Sequence, residues 1–250
     1  MRIFWRKMSN FFIPEWPVPP HIKSMQTLRL GGKSQGKYSS FNLATHVNDD
    51  INAVDFNRGL LNQYLPNTPC WLNQTHSADA GELPATTLNA DASFTKDKHI
   101  VCVVQTADCL PLLLTNNEGT MVAAIHAGWR GLLNGVIENT LHKINLPANE
   151  LLVWLGPAIS QNHFEVGSEV KNSFCEKHHE AEKAFQSISN QKWLADIYML
   201  AKIRLHTYGV TQIYGASVTE DYCTYAHHKN YFSYRRDGET GRMASLIWIA

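Results

Sequence analysis

Two imidazoles and one thiol, His76, Cys109 and His126, are the side chains in this sequence whose types combine into a recognisable piece of chemistry. A zinc ion that acts on a substrate keeps three protein ligands, with neutral imidazole and thiolate among the good donors. It leaves its fourth position for water or substrate. The separations of 33 and 17 residues carry no local signature of the zinc-finger or H-E-x-x-H kind, so the three meet only if the fold brings them together. Without a metal, Cys109 and His126 also read as the nucleophile and base of a cysteine hydrolase acting on an amide, for example in a cell-wall precursor. A buried cysteine is often just a small core hydrophobe and a single histidine a satisfied core or surface residue, so residue types alone leave these readings open. The other histidines offer less. His178 and His179 are consecutive on a helical pattern and point about 100° apart. His227 and His228 sit in a loop with Tyr225, and the 12 histidines include no H-x-H pair of the kind multicopper sites call for.

The elements that must position these groups are centred on residues 101–134. Val101 to Gln105 is apolar and β-branched, Leu110 to Thr115 is short and apolar, and Asn116, Asn117 and Gly119 turn the chain into Met121 to Ile125. This predicts a core hairpin or neighbouring strands, with Cys109 and His126 at strand ends. Gly128 and Gly131 then open a helix marked by Leu133, Ile137, Leu141 and Ile144, and such a start exposes backbone N–H groups that attract anions. Cys70 to His76 reads as a strand that ends on His76.

Around this centre, residues 11–22 carry four prolines and read as an extended lead-in, and the glycine-punctuated Arg29 to Ser40 as a hairpin tip without Walker spacing. Behind Asp49 and Asp50, the register Ala53, Phe56, Leu60, Tyr64 predicts a helix. Leu151 to Leu155 predicts a strand, Val170, Phe174, His178 and Ala181 a helix face, and Trp193 to His206 a long helix with Gly209 as its C-cap. Gln212 to Val218 and Ala244 to Ile249 predict strands.

A chain of 250 residues with 44% hydrophobic content can bury a full core. Its 22 basic and 22 acidic residues cancel, which argues against recruitment of nucleic acid or an anionic membrane and for a small, locally recognised ligand. Five dispersed cysteines without a C-x-x-C pair argue for a reducing compartment, and no stretch approaches the roughly 20 apolar residues of a membrane span. The expectation is a cytoplasmic protein.

The segments LGGKSQGKYSSFNLATHVNDDINAVDFNRGLL, QTH, TADCLPLLL, AIHAGWRGLLNGVI, LGPAISQNHFEVG and CTYAHHKNYFSYRRDGETGRMASLIWI resemble, in order, the YfiH family over roughly residues 25–250. Its members have been described as laccase-domain or polyphenol oxidase proteins and as purine nucleoside phosphorylases. Ser77, Ala44 and Asn48 stand where the family commonly has glycine. The resemblance implies an α/β (α+β) fold of mixed β-sheets sandwiched with helices. It implies an extended lead-in at residues 1–24 and a single YfiH-like catalytic domain at 25–250. It implies zinc held by His76, Cys109 and His126, with copper as the alternative that the older family name suggests. It further implies phosphorolysis of adenosine, inosine and S-methyl-5′-thioadenosine, with adenosine deamination as a second reaction.

Phosphorolysis needs a place for phosphate, stabilisation of a cationic sugar and a departing base, and orientation of both reactants. Arg130, between the two glycines of the helix start, is the leading phosphate candidate because a guanidinium fork suits an oxyanion. Asp108, beside the cysteine, is a candidate to orient a ligand or move a proton, with a structural turn aspartate as the alternative. Asn42 is a candidate contact to a ribose hydroxyl or base edge. Arg235, Arg236 and Arg242, with Tyr231, Phe232 and Tyr234, form a loop that can close over the ligand.

Overall fold

Strands that are apolar on both faces need cover on both faces, and residues 110–155 supply three of them. In the computed structural model, which describes residues 10–85, 88–216 and 222–250, these sit at the centre. The chain runs through β1 (Phe11–Phe12), β2 (Ile22–Thr27), α1 (Ile51–Asn62), β3 (Ala80–Glu82), β4 (Ala92–Thr95) and β5 (Cys102–Thr106). It continues with β6 (Leu110–Asn116), β7 (Val122–Ala127), α2 (Trp129–Asn134), α3 (Val136–Ile144) and β8 (Leu151–Leu155). Then come β9 (Glu165–Gly167), α4 (Ser168–Lys177), β10 (Phe185–Ser189), β11 (Lys192–Ala195), α5 (Ile197–Tyr208), β12 (Gln212–Gly215), α6 (Tyr234–Asp237) and β13 (Met243–Ile249).

β6, β7 and β8 are buried at every position and lie inside a six-stranded mixed sheet of order β12-β8-β6-β7-β4-β3. One face packs on α3, the other on a four-stranded antiparallel sheet of order β1-β2-β13-β5, whose far side is closed by Leu61 of α1 with Phe41 and Leu43. A small sheet, β10-β11-β9, flanks α4. The fold is thus the predicted layering of mixed sheets and helices in one domain. Phe11 and Phe12 pair with Thr27 and Gln26 and are buried, so this part of the lead-in is built into a sheet. Among the described residues, no helix is long and apolar enough to cross a membrane.

The predicted hairpin is β6 and β7, paired from Leu110↔Ala127 to Thr115↔Val122. β5 belongs to the other sheet, so the step from Thr106 to Leu110 crosses between layers, and Cys109 lies at that crossing. Several local expectations are corrected. The helix after Gly128 is two helices, because Gly135 at φ 94° ends α2 and starts α3. Trp193 and Leu194 are not helical: they pair with Val166 and Glu165 in β11, and the helix begins only after Asp196, whose side chain accepts from the Met199 N–H at 2.9 Å. The helix predicted over Val170, Phe174, His178 and Ala181 stops at Lys177, with Ala181 in a following 3-10 turn. Cys70 to His76 makes only isolated bridges, and Arg29 to Ser40 is a loop with one 3-10 turn instead of a hairpin tip. Val218 lies outside the described residues.

In α1 the buried face is Ala53, Val54, Asn57 and Leu61, while Phe56 and Tyr64 are exposed. Asn57 explains the rotation. Its amide accepts from the Lys33 N–H and donates to Ser34 Oγ and to the Ser40 and Asn42 carbonyls, so a polar residue takes the inward position that a count of apolar residues gives to Phe56.

Candidate metal centre

His126 stands on β7 opposite Pro111 of β6, one residue from the strand end. It is buried, and its Nδ1 lies 2.7 Å from Asp91 Oδ1, which leaves Nε2 as the nitrogen free to ligate. Cys109 ends the turn from β5. That turn is forced through Asp108 at φ 95°, an uncommon conformation for a residue with a side chain. It is held there by three bonds: the Thr224 hydroxyl donates to Oδ1 at 2.6 Å, the Arg235 N–H to Oδ2 at 2.6 Å, and the Ile159 N–H to the Asp108 carbonyl at 3.0 Å.

His76, also at positive φ, is carried by a loop that strand pairing does not hold, and the same aspartate anchors it. The Asp91 carboxylate accepts from the N–H groups of Thr75 at 3.2 Å, His76 at 3.0 Å and Ser77 at 2.6 Å. One buried carboxylate therefore orients both histidines. Burial alone would raise its pKa, but the bonds from His126 and Ser77 and the charge on His126 outweigh this and hold it below the usual range.

These contacts bring the three predicted ligands together. His76 Nε2 is 3.6 Å from Cys109 Sγ, the two imidazoles meet edge to face at 4.8 Å between centroids, and all three ligand atoms lie within 4.8 Å of one another. Burial pushes the Cys109 thiol up, but the neighbouring His126 charge and the bonds to both histidines bring it down to about 6. Burial likewise depresses His126, yet the Cys109 charge and the Asp91 bond raise it to about 9. Thiolate and imidazolium stabilise each other; a cation between them favours the thiolate and takes over from the imidazole proton, giving the ligating forms of both. The donor set, two imidazole nitrogens and one thiolate, fits a divalent transition metal.

The backbone makes room for this cluster. A Cβ on Gly128 would fall 2.6 Å from His76 Cδ2 and 3.1 Å from Cys109 Sγ, and one on Gly131 would fall 2.7 Å from the Ser77 carbonyl oxygen. Gly128→Ala is accordingly expected to weaken metal binding by about 10- to 100-fold, read by competition with a chelator, while leaving the melting temperature close to that of the parent. Unchanged affinity would show that the ring has room to move aside.

The cluster lies on the wall of a cavity of about 510 Å³, within the range of small-molecule sites. Three arginines line it, each set against an aromatic ring: Arg130 over Trp129 at 4.4 Å, Arg235 over Phe164 at 5.5 Å, and Arg242 over Tyr234 at 5.9 Å. Among the described residues none of the three is in an ion pair with a carboxylate. A larger groove of about 830 Å³ lies beside Phe11, Tyr64 and Trp248, but among the described residues its lining holds no histidine, cysteine or carboxylate.

The family model described as multi-copper polyphenol oxidoreductase laccase matches residues 23–250. The chain belongs to this, the YfiH family. It is 45% identical over 244 residues to a purine nucleoside phosphorylase of Pseudomonas aeruginosa, covering 97% of this chain and 99% of the relative. It is 45% identical over 247 residues to the purine nucleoside phosphorylase YfiH of Escherichia coli, covering 97% and 100%. The crystal structure of Neisseria meningitidis protein NMB0706 superposes with a TM-score of 0.91 at 46% identity, over 96% of this chain and 99% of that one.

Within this YfiH-family frame the remaining expected residues separate. Arg130, Arg235 and Arg242 reach the cavity; Arg236 does not, its guanidinium donating to the carbonyls of Thr224, Tyr225 and Tyr231 and to Asp237. Asn42 is not brought to the cavity either. It is fully buried, donating to the Ala44 carbonyl and Asp49 and accepting from the N–H groups of Ala44 and Arg242, so it fixes the chain that carries Arg242. Asn48, where glycine is common, takes φ 62°, a left-handed conformation that asparagine tolerates. Asp91 went unnoticed in the sequence: the N-A-D-A-S run signals only a turn, and nothing in its spacing marks a carboxylate aimed at a histidine 35 residues later. His46 and Phe164 of the cavity wall were equally silent.

Proposed function

We propose that this chain is a zinc-dependent purine nucleoside phosphorylase, converting adenosine, inosine or S-methyl-5′-thioadenosine and phosphate to free base and sugar 1-phosphate, with adenosine deamination as a second reaction. The observation that carries the proposal is one cavity holding both the His76–Cys109–His126 cluster and three arginines that, among the described residues, are in no ion pair with a carboxylate. The names of the 45%-identical relatives point the same way.

In phosphorolysis a phosphate oxygen bonds to C1′ as the C1′–N9 bond breaks, and the base leaves with the bonding electrons and gains a proton. Holding the anion and the sugar in line is most of the work. Arg130, exposed at the cavity and in no ion pair among the described residues, offers a planar fork for phosphate; Arg235 and Arg242 add positive charge. Phe164 and Ile159 give apolar surface for the purine faces. Asp108 acts by position: with both oxygens engaged, it fixes Cys109 and the main chain of Arg235 in one unit. His76, Cys109 and His126 would hold the zinc, which would supply Lewis acidity and water activation, the chemistry that adenosine deamination requires. Five free cysteines suit the cytoplasm, where we place the reaction.

Metal analysis of the purified protein joined to product analysis with inosine and phosphate tests the reading. Zinc near one equivalent with hypoxanthine and ribose 1-phosphate formed supports it. Copper with phenol oxidation supports the chemistry in the family model's description instead, and thiol alkylation that inactivates a metal-free protein supports a cysteine hydrolase. One cluster of three ligands among the described residues favours a single-ion site over a multicopper one. For Arg130→Ala the KM for phosphate is expected to rise about tenfold or more, with the nucleoside KM nearly unchanged. Unchanged phosphate dependence counts against this assignment.

A further inference from the structure

Two polar side chains in the cavity wall are left unused by the protein. Gln105 and Thr106, at the end of β5, line the cavity and are only 6% and 1% exposed. Among the described residues, Gln105 Nε2 and Thr106 Oγ1 have no hydrogen-bond partner. Buried polar atoms in folded proteins are nearly always paired, so adjacent orphans in the wall of a ligand-sized cavity are a feature that needs a partner. The main chain behind them, by contrast, is fully provided for. β5 is an edge strand with β13 on one side. On its other side Gln74 substitutes for a neighbouring strand, its Oε1 accepting from the Gln105 N–H at 2.7 Å and its Nε2 donating to the Gln105 carbonyl at 2.9 Å. Gln74 thus holds both backbone groups of Gln105, while the Gln105 Nε2 is left unspent.

We infer that Gln105 and Thr106 are specificity-determining residues that read the polar edge of the heterocyclic base, an inference that rests on the nucleoside reading above. The chemistry divides the cavity. Phosphate is drawn to the guanidinium groups of Arg130 and Arg235, which are exposed at its opening. A carboxamide and a hydroxyl carry no charge to offer an anion, but each brings hydrogen-bonding groups to the cavity wall, from the two faces of the end of β5. That pattern complements the ring nitrogens and exocyclic group of a purine, as glutamine does when it reads adenine. Gln74 is then a positioning residue that holds the reader in place.

Gln105→Met keeps length and removes the amide; Thr106→Val keeps shape and removes the hydroxyl. With inosine and phosphate, Gln105→Met is expected to lower kcat/KM for the nucleoside about 10- to 100-fold, mainly through KM, with the phosphate KM within about twofold of the parent. Thr106→Val shifts it the same way and less. The melting temperature of the unliganded variants stays level or rises, because an orphaned polar group is replaced by an apolar one of similar shape. A side chain that merely braced the fold would instead lower the melting temperature and raise both KM values together, and that result overturns the inference. Parent turnover of inosine with both variants unchanged overturns it alone. A parent that neither turns over nor binds inosine, by calorimetry, overturns the phosphorylase reading and this inference with it.

Discussion

Cys109→Ala is expected to leave a folded protein that retains no metal and loses turnover, with kcat/KM for inosine falling by about a thousandfold or more. Cys109 is the only sulfur in the cluster, and the two histidines that remain are too few to hold a catalytic zinc tightly. The fold should tolerate the change, since the side chain is partly exposed and the turn is held through Asp108, by Thr224, Arg235 and Ile159; the cost is about 1 kcal/mol or less. Mass-spectrometric metal content, steady-state kinetics and a thermal melt together read the prediction. Full activity in the variant removes the metal-centred proposal. Zinc retained with activity lost would instead mark Cys109 as a nucleophile beside a metal held by other groups.

The second large effect belongs to a residue that contacts no substrate. Asp91→Asn keeps the shape of the side chain but replaces a four-bond acceptor with one that must turn an NH2 toward groups that are themselves donors. Either the 75–77 loop or His126 Nδ1 loses its partner. Metal affinity is expected to fall about 10- to 100-fold, and unfolding free energy by about 3 kcal/mol, in keeping with removing one side of a buried ion pair. Chelator competition and denaturant unfolding measure the two separately. A variant that loses stability but binds metal as the parent does would confine Asp91 to holding the loop, and one that matches the parent in both would leave its buried carboxylate without a role.

The amino-acid sequence by itself determined the centre of this protein. The apolar runs at residues 101–105, 110–115 and 121–125, short and rich in β-branched or aliphatic residues, read as buried strands, and the Asn-Asn-x-Gly turn joins two of them as the hairpin that the structure shows. That placed Cys109 and His126 near strand ends; the types of the three side chains left a metal centre and a cysteine–histidine pair both open, and the resemblance to the YfiH family favoured the metal. Local signals misled where the decisive partner was remote. Trp193 and Leu194 fit a helical register, but pairing with β9 and β10 made them a strand; Phe56 fits an inward register, but the hydrogen bonds of Asn57 turned the helix.

Only the tertiary structure decided which polar groups serve the site. Asp91, 15 residues beyond His76 and 35 before His126, acquires its role through three-dimensional proximity alone. Asn42, Arg236 and Asp108 are drawn into the protein's own hydrogen bonds, whereas Arg130 stands exposed at the cavity and, among the described residues, in no ion pair. The physical reason is the range of the forces. Periodicity and turn chemistry act over a few residues and are written in the sequence, while the partner of a carboxylate, an imidazole or a guanidinium is whatever the folded chain sets within about 3 Å of it.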